Sequence, residues 1–174
     1  MPLHETGPKA LVNCRGCAKC CREGGPVYVL KREVRRLEEM GVPLFPYKDF
    51  HFIRRLPGGQ CVMLDKETGQ CSIYEQRPLS CKLFPLDIFA EGPHEVEWVL
   101  FNFCPTGHRK FAHPKPGQPS EFELAIAITS RLERELPEEI LREIKNATIA
   151  VGEIDIFEPN RSAVRRLKPV IPFI

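Results

Sequence analysis

Apolar residues in the first third of the chain change period twice. Val27-Tyr28-Val29 reads as a short strand, directly after the turn signal Gly24-Gly25-Pro26. Leu30, Val34, Leu37 and Met40 then fall at helical spacing, with Gly41 placed to end the element. This predicts a helix over Lys31–Met40, packed by that face on the lobe around it. Pro43–Tyr47 reads as a loop with exposed aromatics. Phe52–Leu56 and Cys61–Leu64 read as two strands joined by Pro57-Gly58-Gly59. Asp65–Gln70 is a turn leading into Cys71-Ser72-Ile73-Tyr74. Leu86–Ala90 and Val96–Phe101 read as a strand pair around Glu91-Gly92-Pro93.

The last third has a different rhythm. Pro105–Pro119 is rich in Pro and Gly and marks the expected boundary between two lobes. Ser120-Glu121-Phe122-Glu123 has the form of a capping box, which predicts a helix from there to about Glu135. Pro137 suits the first turn of a second helix reaching roughly Lys145. Ile154 and Ile156 alternate with acids and predict a late strand. Arg161, Arg165, Arg166 and Lys168 read as a solvated basic tail. The pattern as a whole predicts an α+β fold: a small cysteine-rich lobe of loops and short antiparallel strands, covered by C-terminal helices. Residues 1–108 form the cysteine-rich region and 109–174 the helical part, packed on the first as one domain.

Size and charge narrow the function classes. A chain of 174 residues buries a core without needing crosslinks to rescue it. It carries 25 basic and 23 acidic residues, a net charge of +2, which gives no case for a nucleic-acid or anionic-membrane partner. The N-terminal stretch MPLHETGPKA has neither the basic nor the apolar region of a signal peptide, and no apolar run approaches the roughly eighteen residues of a spanning helix. The expected location is the cytoplasm, where thiols stay reduced. Asn and Gln are scarce, at four each. That leans toward a thermophile, and disulfides persist in hyperthermophile cytosols, so four disulfides stand as an alternative use of the cysteines.

The cysteines carry the chemistry. There are eight: Cys14, Cys17, Cys20 and Cys21 in the run C-x2-C-x2-C-C, then Cys61, Cys71, Cys81 and Cys104. Thiolates this dense, with no export signal, point to a metal or an iron–sulfur cluster. A C-x2-C turn aims backbone N–H groups at sulfur and offsets its charge. Two such steps give three ligands from one loop, as in ferredoxins, with a fourth from elsewhere. Eight thiols suffice for two four-thiolate sites, and adjacent Cys20 and Cys21, pointing opposite ways in an extended segment, could serve different ones. Spacing alone does not assign the groups. Pro105 fixes the chain direction leaving Cys104. Arg15, Lys19, Arg22, Arg77 and Lys82 lie beside the cysteines in sequence, where cations would stabilise an anionic centre. Cys104 with His108 and His113 is a weaker mixed-ligand zinc alternative, and His4, His51 and His94 have no partner at ligand spacing. Pro78 is placed to start a short helix presenting Cys81 one turn later, with Arg77 donating to a thiolate or carbonyl and Tyr74 shielding the centre. No phosphate loop or Ser/His/Asp arrangement is present.

The strings Gly59-Gln60-Cys61-Val62-Met63-Leu64 and Cys71-Ser72-Ile73-Tyr74-Glu75-Gln76-Arg77-Pro78-Leu79-Ser80-Cys81-Lys82-Leu83-Phe84-Pro85, after the C-x2-C-x2-C-C run, closely resemble the YkgJ-type cysteine-cluster (CxxCxxCC) family. The resemblance runs from about Cys14 to Cys104. It implies zinc or iron chelation, often with an iron–sulfur oxidoreductase role, and a ligand role for all eight cysteines. A related domain occurs in flagellin lysine N-methylases, which would imply methyl transfer to protein lysines. No methyl-donor motif is read in the C-terminal helices. The leading expectation is a 4Fe–4S centre in electron transfer or a redox or modification system, with an unidentified redox or protein partner. The alternative is zinc in closed four-thiolate sites that staple a protein-interaction module. All-sulfur ligation serves both metals. The C-x2-C-x2-C loop and Cys104-Pro105 tip the balance toward iron, and whether the protein is an enzyme stays open.

Overall fold

The computed structural model describes residues 10–11, 13–90, 96–101, 104–105, 116–117, 119–152 and 164–169. The short helix α1 (Lys19–Glu23) leads into strand β1 (Val27–Val29) and helix α2 (Lys31–Glu39). Strands β2 (Leu44–Tyr47) and β3 (Phe50–Ile53) follow, then helix α3 (Leu79–Leu83) and strands β4 (Leu86–Ala90) and β5 (Val96–Phe101). Helices α4 (Glu121–Glu135) and α5 (Glu138–Gly152) and strand β6 (Val164–Pro169) complete the order. The α+β class is as expected. Among the described residues two antiparallel three-stranded sheets carry it, ordered β1-β3-β2 and β4-β5-β6.

The first sheet divides two cores because alternate side chains take opposite faces. Tyr28 and Phe52, register partners on β1 and β3, face the larger core. That core also holds Leu79 and Leu83 of α3, Leu86, Trp98 and Leu100 of the second sheet, and the inner faces of α4 and α5. Val29 and Ile53 face the other way, into a smaller core with Leu37, Val42, Cys61 and Ile73. Half-buried Cys21 and Cys71 pack against this smaller core. Trp98 is 0% exposed, and its indole N–H donates to Glu133 of α4 at 2.9 Å, so a full aromatic payload is buried with no orphaned polar group.

Most predicted elements form. α2 ends one residue earlier than expected, with Gly41 left-handed at φ 71°. Met40, placed on its apolar face by spacing, is 40% exposed. The capping box closes as expected: Ser120 accepts from the Glu123 N–H at 3.2 Å, and the Glu123 carboxylate accepts from the Ser120 N–H at 2.8 Å. α4 then buries Ala125, Thr129 and Leu132 at helical spacing, and Leu136, its C-cap, is buried after them.

Four expectations are corrected. Residues 44–47, expected as a loop, form edge strand β2, paired to β3 with Phe45 opposite Phe52. Pro46 is tolerated because an edge strand need not donate on both sides. Cys61–Leu64 is not a strand: only an isolated bridge joins Arg55 to Cys61, and the chain turns at once. The second C-terminal helix runs past Lys145 to Gly152. Arg165, Arg166 and Lys168, read as tail, lie in β6, which pairs antiparallel with β5. His4, His94, His108, His113, Ile154, Ile156 and Arg161 lie outside the described residues, as does most of Pro105–Pro119. Among the described residues no helix is long and apolar enough to cross a membrane.

Candidate metal centre

The cysteine run is a turn followed by a helical start. The Cys17 N–H donates to the Cys14 carbonyl at 3.1 Å, and Gly16 and Ala18 take left-handed conformations at φ 74° and 50°. Ala18 then leads into α1, which carries Cys20 and Cys21 in its first turn. Expected in an extended segment, the two adjacent cysteines are helical instead. Their Cβ directions still diverge, by about 100°. The Gly24 N–H makes the last helical bond, to the Cys20 carbonyl at 2.9 Å, and α1 stops there because Gly24 itself is extended, with ψ 171°.

Cys61 and Cys71 are presented by a matched pair of turns. The Leu64 N–H donates to the Cys61 carbonyl and the Tyr74 N–H to the Cys71 carbonyl, at 3.1 and 3.2 Å. Within each turn a backbone N–H two residues on, Met63 or Ile73, reaches the cysteine sulfur. The turns lie side by side, with Leu64 bridged to Cys71 and the Ser72 N–H donating to the Met63 carbonyl at 2.9 Å. The Asp65–Gln70 connection folds on Asp65, whose carboxylate takes the backbone N–H groups of Glu67 and Thr68. The Cys61 N–H donates to the Cys21 carbonyl at 2.7 Å, which brings the pair to α1.

Cys81 arrives on α3, which starts after Pro78 as expected. Two contacts fix this helix. Ser80 donates to the Tyr28 carbonyl at 2.6 Å, and the Glu33 carboxylate accepts from the Leu79 and Leu30 N–H groups at 3.0 and 3.2 Å. Cys104 is buried. Cys14, Cys17, Cys20, Cys81 and Cys104, with Phe84, line a cavity of about 20 Å³. All eight cysteines stand as thiols, with no disulfide among them.

Electrostatics mark where thiolate character is favoured. A hydrogen bond from Cys20 holds the Cys21 thiol below its ordinary value against the opposing effect of burial, and Arg55, Arg22 and Arg77 reinforce it. The same bond, with burial, pushes Cys20 up. Burial raises Cys61 and Cys71, opposed by the Met63 and Ile73 N–H groups, and burial raises Cys81 most strongly.

Of the flanking cations, Arg15 pairs with Glu75, and Arg22 donates to the Cys17 carbonyl at 3.3 Å. Arg77 is buried and donates to the Tyr74 carbonyl at 2.8 Å, one of the two roles expected of it. Tyr74 lies between the Arg15 and Arg77 guanidinium groups, 4.3 and 3.8 Å from its ring centroid. Its phenol oxygen accepts from the Cys14 N–H at 3.1 Å, so it ties the first cysteine loop to the Cys71 turn.

Sequence reasoning missed Arg55. Its guanidinium donates to the carbonyls of Cys20, Cys21 and Gly59, at 3.3, 3.2 and 2.7 Å. One basic residue thus clamps the helix bearing the adjacent cysteines to the turn before Cys61. Nothing local in the Ile53-Arg54-Arg55-Leu56 string marks it. Its neighbour Arg54 is exposed.

Among the described residues, no three His, Cys, Asp or Glu side chains are already arranged to hold a metal ion. The donor set nevertheless fits one. Eight reduced thiols from separate chain segments meet in one lobe, with N–H groups and guanidinium groups placed to offset their charge. Soft thiolates of this kind suit zinc, iron and iron–sulfur clusters alike.

No solved structure matches the chain. An uncharacterised protein of Methanocaldococcus jannaschii, MJ0661, is 52% identical over 31 residues, which is 18% of this chain and 17% of that protein. The chain therefore matches well under two thirds of that relative's length. The model of the CxxCxxCC family, described as "Putative zinc- or iron-chelating domain", matches residues 13–105, from just before Cys14 to just after Cys104. That match covers more than half of the chain and takes in all eight cysteines, and the protein belongs to the CxxCxxCC family.

Proposed function

We propose that this protein chelates metal through cysteine thiolates alone, and that each centre takes a single zinc or iron ion. One observation carries the reading: five cysteines from three chain segments line one cavity of about 20 Å³. That space is close to the least that holds one water molecule, about 10–15 Å³. It suits an ion, whereas a cube of four irons and four sulfides needs the loop to expand. Four thiolates around zinc form a closed site whose binding energy is folding energy. Cys14, Cys17, Cys20, Cys21, Cys61, Cys71, Cys81 and Cys104 are the ligands in this reading. Arg55 and Arg77 offset the anionic charge, and Tyr74 covers the Cys14 side.

A second reading, a 4Fe–4S centre with an electron-transfer role, is favoured by a different observation. Cys14, Cys17 and Cys20 share the cavity with Cys104, which Pro105 follows. That is the ferredoxin arrangement of three ligands from one loop and a distant fourth before proline. Anaerobic purification with zinc, iron and acid-labile sulfide assayed on one sample separates the two. Stoichiometric metal without sulfide is the expected result. Sulfide matched to iron, with broad visible absorption, replaces the single-ion reading with the cluster. A chain that binds neither overturns thiolate chelation.

A further inference from the structure

The eight thiols are not spread evenly through the lobe. Cys14, Cys17, Cys20 and Cys104 meet at the cavity. Cys21, Cys61 and Cys71 do not line it and pack instead on the small core of Val29, Leu37 and Ile53. The division falls between two consecutive residues. Cys20 lines the cavity and Cys21 does not, because successive positions of α1 point about 100° apart. The Cys20 and Cys21 side chains still hydrogen-bond each other, so the two groups share an edge.

We propose that the cysteines form two adjacent four-thiolate centres divided at the Cys20–Cys21 peptide bond. Cys14, Cys17, Cys20 and Cys104 hold one metal, and Cys21, Cys61, Cys71 and Cys81 hold the other. This rests on the thiolate chelation proposed above.

Cys81 decides the partition, since it also lines the cavity. The first group has four members without it and the second only three. Four is the ligand number that closes a structural thiolate site. The second group also has its own supporting frame. The Met63 and Ile73 N–H groups serve Cys61 and Cys71, and Arg55 ties the Cys21 carbonyl to the Gly59 turn. Side-chain rotation completes each set as the metal enters. The shared helix α1 then couples the two sites, so that filling one orders the backbone of the other.

Cobalt(II) titration of the reduced full-length chain tests the grouping, with thiolate-to-cobalt charge transfer as the readout. Wild-type protein is expected to saturate at two ions per chain. Cys17→Ser and Cys71→Ser are each expected to saturate at one, and Cys81→Ser at one with the spectrum of Cys71→Ser. One ion in wild type, abolished by either Cys17→Ser or Cys71→Ser, overturns the two-centre grouping and leaves thiolate chelation standing. Cys81→Ser with the spectrum of Cys17→Ser overturns the assignment of Cys81. No cobalt binding by wild type overturns chelation and the grouping together. Should the variants fail to fold, differential alkylation of half-loaded wild-type protein decides the matter. Two correlated protected sets, divided at Cys20 and Cys21, are expected. A protected set that mixes Cys14 or Cys17 with Cys61 or Cys71 overturns the proposal.

Discussion

A Cβ built on Gly24 would sit 2.3 Å from the Cys20 carbonyl oxygen, and that oxygen is fixed backbone. Space, and not φ, demands glycine here, since Gly24 has an ordinary φ of −78°. Gly24→Ala should therefore push α1 away from its C-terminal turn and displace both adjacent cysteines. Overpacking of this kind costs about 1–3 kcal/mol, and the variant should also bind cobalt more weakly, read by thermal melting with and without metal. Arg55→Lys tests the missed clamp. A single ammonium cannot span three carbonyls on two segments as a planar guanidinium does. Loss of about 1–2 kcal/mol is expected, on the scale of one or two hydrogen bonds, with metal weakened in step. At this scale the sequence is legible where chemistry sits in side chains. All eight cysteines, Tyr74, Arg77 and Pro78 stand out from the string. Backbone donors do not, so the Met63 and Ile73 N–H groups could be foreseen only as a class. Arg55 looks like any arginine until its three acceptors are brought to it from 34 and 35 residues away and from the local turn.

Between elements, Glu33 of α2 does what no helix propensity reveals. Its two carboxylate oxygens hold the N–H groups of Leu30 and Leu79, which joins α2 to the start of the helix that carries Cys81. Glu33→Gln keeps the shape and removes one acceptor, so one buried N–H loses its partner. A cost of about 1–3 kcal/mol is expected, with slower metal release replaced by faster exchange at Cys81. Ser120→Ala provides the contrast. It removes an N-cap far from the cysteines and should cost about 1 kcal/mol while metal content stays unchanged. Elements set by local signals were readable. The capping box, the strand pair β4 and β5 and helix α2 follow from a few neighbouring residues. β2 and β6 were not readable, because their partners decide them. Residues 44–47 become a strand only against β3, and the Val164–Pro169 segment, rich in Arg and Lys, becomes one only against β5.

At the scale of the whole molecule, a half-buried carboxyl makes stability depend on pH. Burial raises Asp87 on β4 from an ordinary 3.8 to about 6, with only the Ile88 N–H opposing it. The folded state then holds this proton more tightly than the unfolded chain. The stabilisation is fully present below about pH 4 and is lost as pH rises through about 6. A shift of this size amounts to about 3 kcal/mol at most. Asp87→Asn should flatten that slope between pH 4 and 6.5 and raise the denaturation midpoint at pH 7.5, as urea melts at several pH values would record.

The strand order β4-β5-β6 has one more consequence. During synthesis the chain leaves the ribosome N-terminus first, so Cys104 emerges some sixty residues before the strand at 164–169. Every sulfur of the lobe is in hand while one edge of β5 is still bare. Metal captured at that stage would hold the nascent lobe together, and a cell short of metal would leave an unpaired β5 edge exposed for longer, where it invites pairing with other chains.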